Sequence, residues 1–324
     1  MAAQLRVLRR RIRTVQSTKK ITRAMELIAA SRIVKAQARV AAARPYTAEL
    51  IRAIEAAAAV GSVDHPLLQP ARAQQRAAVL LITADRGLAG GYSANAIRAA
   101  ESLGNLLRSE GKDVVSYLVG RKGINFYRFR SRPVAEQWSG FSDNPTYPDA
   151  RLIRDALIER FMQPTEDGGV DEIHIVYTRF RNMISQIPHA LRILPILVEE
   201  SRAESVTALR AGQEPQESSA EQAPQRRTEG PVAQYEFEPS PEEVLDALLP
   251  RYVGNLVYNA LLQSAASEHA ARRRAMKSAT DNADDLIEAY TREANTARQA
   301  EITQEISEIV GGANALAEAS AGRE

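Results

Sequence analysis

The two ends of this chain constrain its fold more than any other feature. Near the N-terminus Leu5, Leu8, Ile12, Val15, Thr18, Thr22, Met25 and Ile28 recur every three or four residues. That spacing makes a helical stripe narrow enough to be a coiled-coil seam. It predicts a helix over roughly residues 3 to 58. Pro45 is its one interruption, where a kink or offset is expected, and Gly61 and Pro66 end it. A second helix is predicted from Ser240-Pro241-Glu242-Glu243 to about Ile309. The serine is a cap, the proline suits the first helical position, and the two acids favour the positive end of the helix dipole.

Leu245, Leu249, Tyr252, Leu256 and Ala260 open the apolar stripe of this second helix, and Ile302, Ile306, Ile309 and Ala313 close it. Between them Ala265, Ala266, Ala270, Ala271, Ala275 and Ala279 are small enough to let two backbones approach closely. About 60 to 70 helical residues at ~1.5 Å each would extend roughly 90 to 100 Å, more than a globular domain needs. A helix this long needs a partner for its stripe, and the N-terminal helix is the obvious one. The pairing is antiparallel if the intervening domain sits at one end.

Between the helices the periodicity changes. Ala77 to Thr83 is a short, continuously apolar run, the pattern of a strand buried on both faces. Val114 to Val119, Ile173 to Tyr177 and Leu191 to Val198 follow as further strands. Helices are expected at about 93–110 and 149–162. Strands alternating with helices predict an open, mostly parallel α/β sheet. The expected division is a helix over 1–60, an α/β domain over 75–200, an insertion over 201–231, and a C-terminal segment and helix over 232–324. The insertion is rich in Glu, Gln, Ser, Ala and Pro and has no aromatic residue, so it is read as a flexible surface loop.

Several kinds of chemistry find no support. The chain has no cysteine, which excludes disulfides and thiolate metal sites. Net charge is only +2, and the basic start (Arg6, Arg9, Arg10, Arg11, Arg13, Lys19, Lys20 and Arg23) carries neither interleaved aromatics nor a DNA-binding motif. It reads as a solvated face or one that meets an acidic protein. No apolar run approaches the ~20 residues of a membrane span. His65, His174, His189 and His269 are scattered without metal-ligand spacing, and His174, inside an apolar strand, reads as a core histidine. No catalytic triad can be assembled.

Two glycine-containing turns follow the first two strands. Thr83 to Ser93 lies where an α/β domain keeps a phosphate loop, but neither G-x-G-x-x-G nor G-x-x-x-x-G-K-[ST] occurs, and Asp85 would repel a phosphate. Gly120-Arg121-Lys122-Gly123 reads as a plain strand-to-helix turn. The densest polar pattern is Asn295 to Glu305, either a solvated helix or a surface that grips and releases a second protein.

Both termini resemble one family. Ile12 to Lys35 (IRTVQSTKKITRAMELIAASRIVK) resembles the first helix of the gamma subunit of F-type ATP synthase. Ser267 to Ala313 resembles its last helix. DRGLAGGYSANAI (Asp85 to Ile97), the Gly120–Gly123 turn and YEFEPSPEEVLDALLPRY (Tyr235 to Tyr252) fall in the same order as in that family. The resemblance implies the central stalk of a proton-driven rotary motor. The paired helices would stand inside a ring of alpha and beta subunits, and the α/β domain outside it, against epsilon and the membrane rotor ring of c subunits. Such a subunit transmits torque, performs no bond chemistry and needs no cofactor or metal. It works peripherally on the cytoplasmic face of a bacterial plasma membrane.

Residue by residue, the resemblance assigns the beta-subunit grip to Arg298, Gln299 and Thr303, with Met25 facing the same loop region. It assigns the epsilon and rotor-ring contact to Tyr235, Phe237 and Glu238. Departures are Arg273, where that family usually has an apolar residue, Tyr290 and Ala294, often leucine and tyrosine, and Ala89 in place of a cysteine. The alternative is an α/β nucleotide-binding protein with helical oligomerisation arms.

Overall fold

The computed structural model describes residues 2–60, 65–69, 74–196, 238 and 240–321. The helix α1 spans Ala2–Val60. It is followed by β1 (Arg76–Ile82), α2 (Tyr92–Ser109), β2 (Asp113–Val119), α3 (Arg121–Phe129), β3 (Glu136–Trp138) and α4 (Tyr147–Met162). β4 (Glu172–Phe180), β5 (Gln186–Leu194) and a last helix, α5 (Pro241–Ala321), complete the order. The 201–231 segment lies outside the described residues.

The chain divides into two compact units, one of residues 1–29 with 272–324 and one of residues 30–271. Both helices contribute to both units. α1 is continuous across Pro45 and α5 across Pro250. The expected cap of α5 is present: Ser240 Oγ accepts the Glu243 N–H at 3.2 Å. α5 runs 81 residues, past the expected end near Ile309. Gly311 and Gly312 do not stop it, because the alanine-rich Asn314–Ala321 that follows favours helix.

In the second unit the described strands form one five-stranded sheet in the order β3-β2-β1-β4-β5. β1 pairs in parallel with β2 and β4, β2 in parallel with β3, and β4 antiparallel with β5. This is the mostly parallel sheet the sequence predicts, with an antiparallel edge. Alternate residues of β1 face opposite layers. Ala77, Val79 and Leu81 pack with Ala96, Ile97, Ala100 and Leu107 of α2. Ala78, Leu80 and Ile82 pack with Ile153 and Leu157 of α4, Leu50 and Ile54 of α1, and Leu245, Leu249 and Val253 of α5. Burial on both faces explains the continuous apolar run.

Three elements were unread or misread. α3 begins directly at Arg121, so Gly120–Gly123 is a turn that leads straight into a helix. β3 has only three residues, too short for a periodic signal. The last strand was expected at 191–198; β5 instead occupies Gln186–Leu194. It is an edge strand with half-exposed residues and Pro188, and so lacks the apolar run that marks a central strand.

Candidate functional site

In the first unit the helices pair through a regular seam. On α1, Leu5, Leu8, Ile12, Val15 and Lys19 are half-buried, and Thr22, Glu26 and Ala29 are buried. On α5, Met276, Thr280 and Ala283 are buried, and Ile287, Tyr290, Ala294, Ala297 and Glu301 are half-buried. Both series alternate steps of three and four, the repeat of a coiled coil. The antiparallel register is fixed by three contacts. Arg11 lies over the Tyr290 ring at 5.9 Å, Lys19 forms an ion pair with Asp284, and the Thr22 and Thr280 hydroxyls meet at 2.7 Å.

This seam corrects the sequence reading at three positions. Thr18 is exposed and Ile28 is 55% exposed, whereas Ala29 is 1% exposed; Met25 is half-buried. At Lys19, Glu26 and Ala29 the true seam sits one residue later than the expected position, while Thr22 holds its place. Its charged members are accommodated individually. Glu26, for example, accepts a hydrogen bond from Arg23 at 2.8 Å.

The expected closing stripe is also corrected. Ile302, Ile306, Ile309 and Val310 are 45%, 56%, 71% and 52% exposed, and Ala313 is exposed. With Thr22 opposite Thr280, the described residues of α1 run alongside α5 as far as about Glu301. Residues 302–314 are all exposed, so this end of α5 carries an apolar face with no covering residue among those described.

Arg298, Gln299 and Thr303 lie on exposed surface just before that end. The Thr303 hydroxyl donates to the Gln299 carbonyl at 2.9 Å, which leaves both side chains on the same helix face. At about 100° per residue, Gln299 and Thr303 point away from the seam positions Ala297 and Glu301, and Arg298 flanks them. Met25 is not part of this group. By the register of Thr22 with Thr280, Met25 lies opposite Lys277, 21 residues of α5 or about 32 Å from Arg298. Met25 and Arg298 therefore lie on separate parts of the paired helices. Ile21 and Ile28, 61% and 55% exposed, lie on the same side of α1 as Met25 at about 100° per residue; Ile21 is a large apolar residue off the expected seam spacing, and Ile28 was expected within the seam. Of the other assigned residues, Glu238 is exposed, and Tyr235 and Phe237 lie outside the described residues.

In the second unit the glycine turns interlock. The Thr83 hydroxyl donates to the Val119 carbonyl at 2.9 Å and accepts the Gly123 N–H at 2.9 Å. The Asp85 carboxylate, its side chain only 5% exposed, accepts N–H groups from Arg121 at 3.1 Å, Gly140 at 2.7 Å and Ser142 at 3.0 Å. Asp85 thus ties together the turns after β1, β2 and β3. The crevice at the strand ends between β1 and β4, where open α/β sheets bind ligands, is filled by α5. Gln263 Oε1 accepts the Phe180 N–H at 3.1 Å, Ser264 Oγ accepts the Thr178 N–H at 3.3 Å, and the Ser267 hydroxyl donates to the Thr178 carbonyl at 2.9 Å. Ala271 packs there against Ala84, Ala89 and Tyr92.

At the opposite end of the sheet Glu172 is buried and accepts a hydrogen bond from Lys112 at 2.8 Å. His174 Nε2 lies 3.4 Å from the same Glu172 oxygen, so the expected core histidine is a half-buried one beside a carboxylate. Burial alone would raise the Glu172 carboxyl, but His174 and Lys112 outweigh it and hold it below the usual carboxylate range. Burial likewise opposes the Lys112 charge, and Glu172 and Glu110 outweigh it, so the ammonium is held above its ordinary value. Among the described residues no group of three or more His, Asp or Glu is arranged to hold a metal. No helix among them is long and apolar enough to cross a membrane.

Two chain-end helices paired antiparallel, an inserted sheet whose ligand crevice holds a helix, and exposed polar and apolar stations on the helices define a helical-stalk class of protein. The family model described as ATP synthase matches residues 4–316. The ATP synthase gamma chain of Acidothermus cellulolyticus is 59% identical over 316 residues, covering 98% of each chain. That of Thermobifida fusca is 58% identical over 324 residues, covering both chains fully. Among solved structures, a chain of the Euglena gracilis mitochondrial ATP synthase OSCP/F1/c-ring structure shares the fold, with a TM-score of 0.63 at 16% identity. The match covers 98% of this chain and 95% of that one. The chain belongs to the ATP synthase gamma chain family.

Proposed function

We propose that the chain is the central-stalk rotor subunit of a proton-driven ATP synthase. It transmits torque between a membrane rotor ring and catalytic beta subunits and makes or breaks no bond itself. Full-length identity to bacterial gamma chains carries this reading. Two geometric features support it. The crevice that would serve nucleotide chemistry is filled by α5, and α5 presents an apolar face with no covering residue among those described.

Arg298, Gln299 and Thr303 then form the grip on a beta-subunit loop. Met25, with Ile21 and Ile28, forms a second contact with the alpha and beta ring, about six turns of α5 away. Ile302, Ile306 and Ile309 turn inside the ring on apolar contacts, which hold without directional bonds. Tyr235, Phe237 and Glu238 meet the epsilon subunit and the c ring. The subunit works at the cytoplasmic face of the bacterial plasma membrane and is held there by these partners.

The test is reconstitution with alpha and beta subunits, isolation by size, and an assay of ATP hydrolysis with and without the chain. One copy per three beta subunits and dependent hydrolysis are expected. Arg298→Ala with Gln299→Ala should leave the isolated chain folded and lower coupled synthesis about tenfold, the loss of one charge-assisted contact. Wild-type synthesis in that variant removes the grip assignment.

A further inference from the structure

The seat of α1 and α5 in the second unit has two chemically different parts. The larger is apolar: Leu50, Ile54 and Ala57 of α1, and Leu245, Leu249 and Val257 of α5, pack on the sheet through one core. The smaller is a polar loop, residues 139–146 between β3 and α4, that holds three elements at once. Toward β1, the Asp85 carboxylate accepts the Gly140 and Ser142 N–H groups, and the Asp85 N–H donates to Ser142 Oγ at 2.8 Å. Toward α5, the Ser142 hydroxyl donates to Glu268 Oε2 at 3.0 Å, and His269 Nε2 lies 3.0 Å from the Asp143 carbonyl. Toward α1, Arg32 donates to the Asp143 carboxylate at 2.6 Å and Arg39 donates to the Asn144 side chain at 2.6 Å.

A joint needed only for stability would be apolar. This one buries polar and charged groups: Glu268 is 0% exposed and Ser142 4%, and the Asp143 side chain is 13% exposed. Buried charge is costly unless its partners are well placed. What such a joint gains is direction. Apolar contact is non-directional and changes little as a helix slides or turns slightly, whereas a hydrogen bond weakens steeply with distance and angle. The position also matters. Arg32 and Glu268 lie within three residues of 30 and 271, the last residues of this compact unit on each helix.

We infer that the 139–146 loop, through Ser142 to Glu268 and Asp143 to Arg32, is the clasp by which torque passes between the α/β domain and both long helices. The inference rests on the rotor reading. A twist applied to the sheet reaches the helices through Asp85 and this loop, while the apolar core keeps them seated. Residues of the clasp are positioning residues and touch no nucleotide.

The test uses the complete reconstituted complex, with a bead on the rotor ring and the catalytic sites stalled by a non-hydrolysable nucleotide. The readout is the width of the angular fluctuations. Ser142→Ala with Arg32→Gln is expected to assemble and hydrolyse ATP as wild type. Its angular variance should widen about twofold as three of the directional links are lost, those of the Ser142 hydroxyl to Asp85 and Glu268 and that of Arg32 to Asp143, and synthesis at limiting driving force should fall. Ser142→Thr, which keeps the hydroxyl, should behave as wild type. Because the chain has no cysteine, Arg39→Cys with Asn144→Cys joined by a short bis-maleimide linker, each thiol adding across one maleimide double bond, ties the loop to α1. The linker should narrow the distribution in either background, which keeps the inference testable if the double variant fails to fold.

Unchanged variance in the double variant, or a linker without effect, overturns the clasp. A wild-type chain that neither assembles nor rotates overturns the rotor reading instead.

Discussion

Gly120 is where the two glycine turns are locked together, and replacing it by alanine tests that lock quantitatively. Gly120 sits at φ +92, and a Cβ there would lie 2.2 Å from the Thr83 carbonyl oxygen and 2.8 Å from its hydroxyl. The left-handed backbone alone costs an L-residue about 1–2 kcal/mol. Relieving the clash requires the two backbones to separate. That strains the Thr83 N–H bond to Val119 at 2.8 Å, the Gly120 N–H bond to Trp138 at 2.8 Å and the Gly123 N–H bond to Thr83 at 2.9 Å. One such buried group left unpaired costs about 1–3 kcal/mol, so a total loss of about 2–5 kcal/mol is expected. That is a large share of the ~5–15 kcal/mol that holds a typical domain.

Gly111 supplies an internal control, because it has φ +83 but nothing within 4 Å of its Cβ position. Gly111→Ala should therefore cost only the backbone part, about 1–2 kcal/mol. The assay is urea unfolding followed by the fluorescence of Trp138. It is the only tryptophan in the chain, and its carbonyl accepts the Gly120 N–H. If the two variants lose the same stability within about 0.5 kcal/mol, the close approach of Gly120 to Thr83 does not constrain the fold and the steric argument fails.

The seam and the sheet base give further checks. Ile28→Ala should change the melting of the isolated chain by no more than about 0.5 kcal/mol, being exposed, while Ala29→Leu should lower it by about 1–3 kcal/mol through overpacking. The reverse order, read by far-ultraviolet circular dichroism, would restore Ile28 to the seam. Glu172 is held below its ordinary value, so its contribution is full above about pH 4.3 and is lost as pH falls through the lower folded value. Lys112 is held above its ordinary value, so its contribution is full below about pH 10.4 and fades as pH rises through the higher folded value. Glu172→Gln should flatten the acid limb of urea midpoint against pH, and an unchanged acid limb would contradict the Lys112–Glu172–His174 account.

Much of the architecture is legible because its signals are local. The 3–4 spacing of Leu5, Leu8, Ile12 and Val15, the Ser240 cap and the double-faced strand Ala77–Ile82 each need only a few neighbouring residues to interpret. Beyond Val15 the seam was legible only at Thr22. Thr18, Met25 and Ile28 are the more apolar choice there, and Lys19 and Glu26 become credible only once Asp284 and Arg23 are seen beside them. The separation of Met25 from Arg298 follows from helix register, which pairs residues more than 250 positions apart. The same register explains why Ile302, Ile306 and Ile309, sound seam residues by spacing, are exposed: the described residues of α1 reach only to about Glu301. The site is legible as a polar cluster, because Gln299 and Thr303 have no use in a seam. What they touch is not written in their spacing.

The central domain shows why fold and function must be argued apart. Its sheet order, parallel core and glycine turn after β1 are those of a nucleotide-binding domain, and a sequence reading has to weigh an enzyme for that reason. In such folds the backbone groups beyond the paired strand ends are satisfied by the ligand. Here β1 pairs with β4 only as far as Val176. The groups exposed beyond it, the Thr178 N–H and carbonyl and the Phe180 N–H, are satisfied by Ser264, Ser267 and Gln263 of α5. Asp85, whose charge would repel a phosphate, instead gathers the N–H groups of three turns. A bound nucleotide would have to displace a helix anchored on both sides of the crevice. The same contacts that occupy the crevice therefore join the sheet to α5, so that the strand end and the helix are held by shared hydrogen bonds.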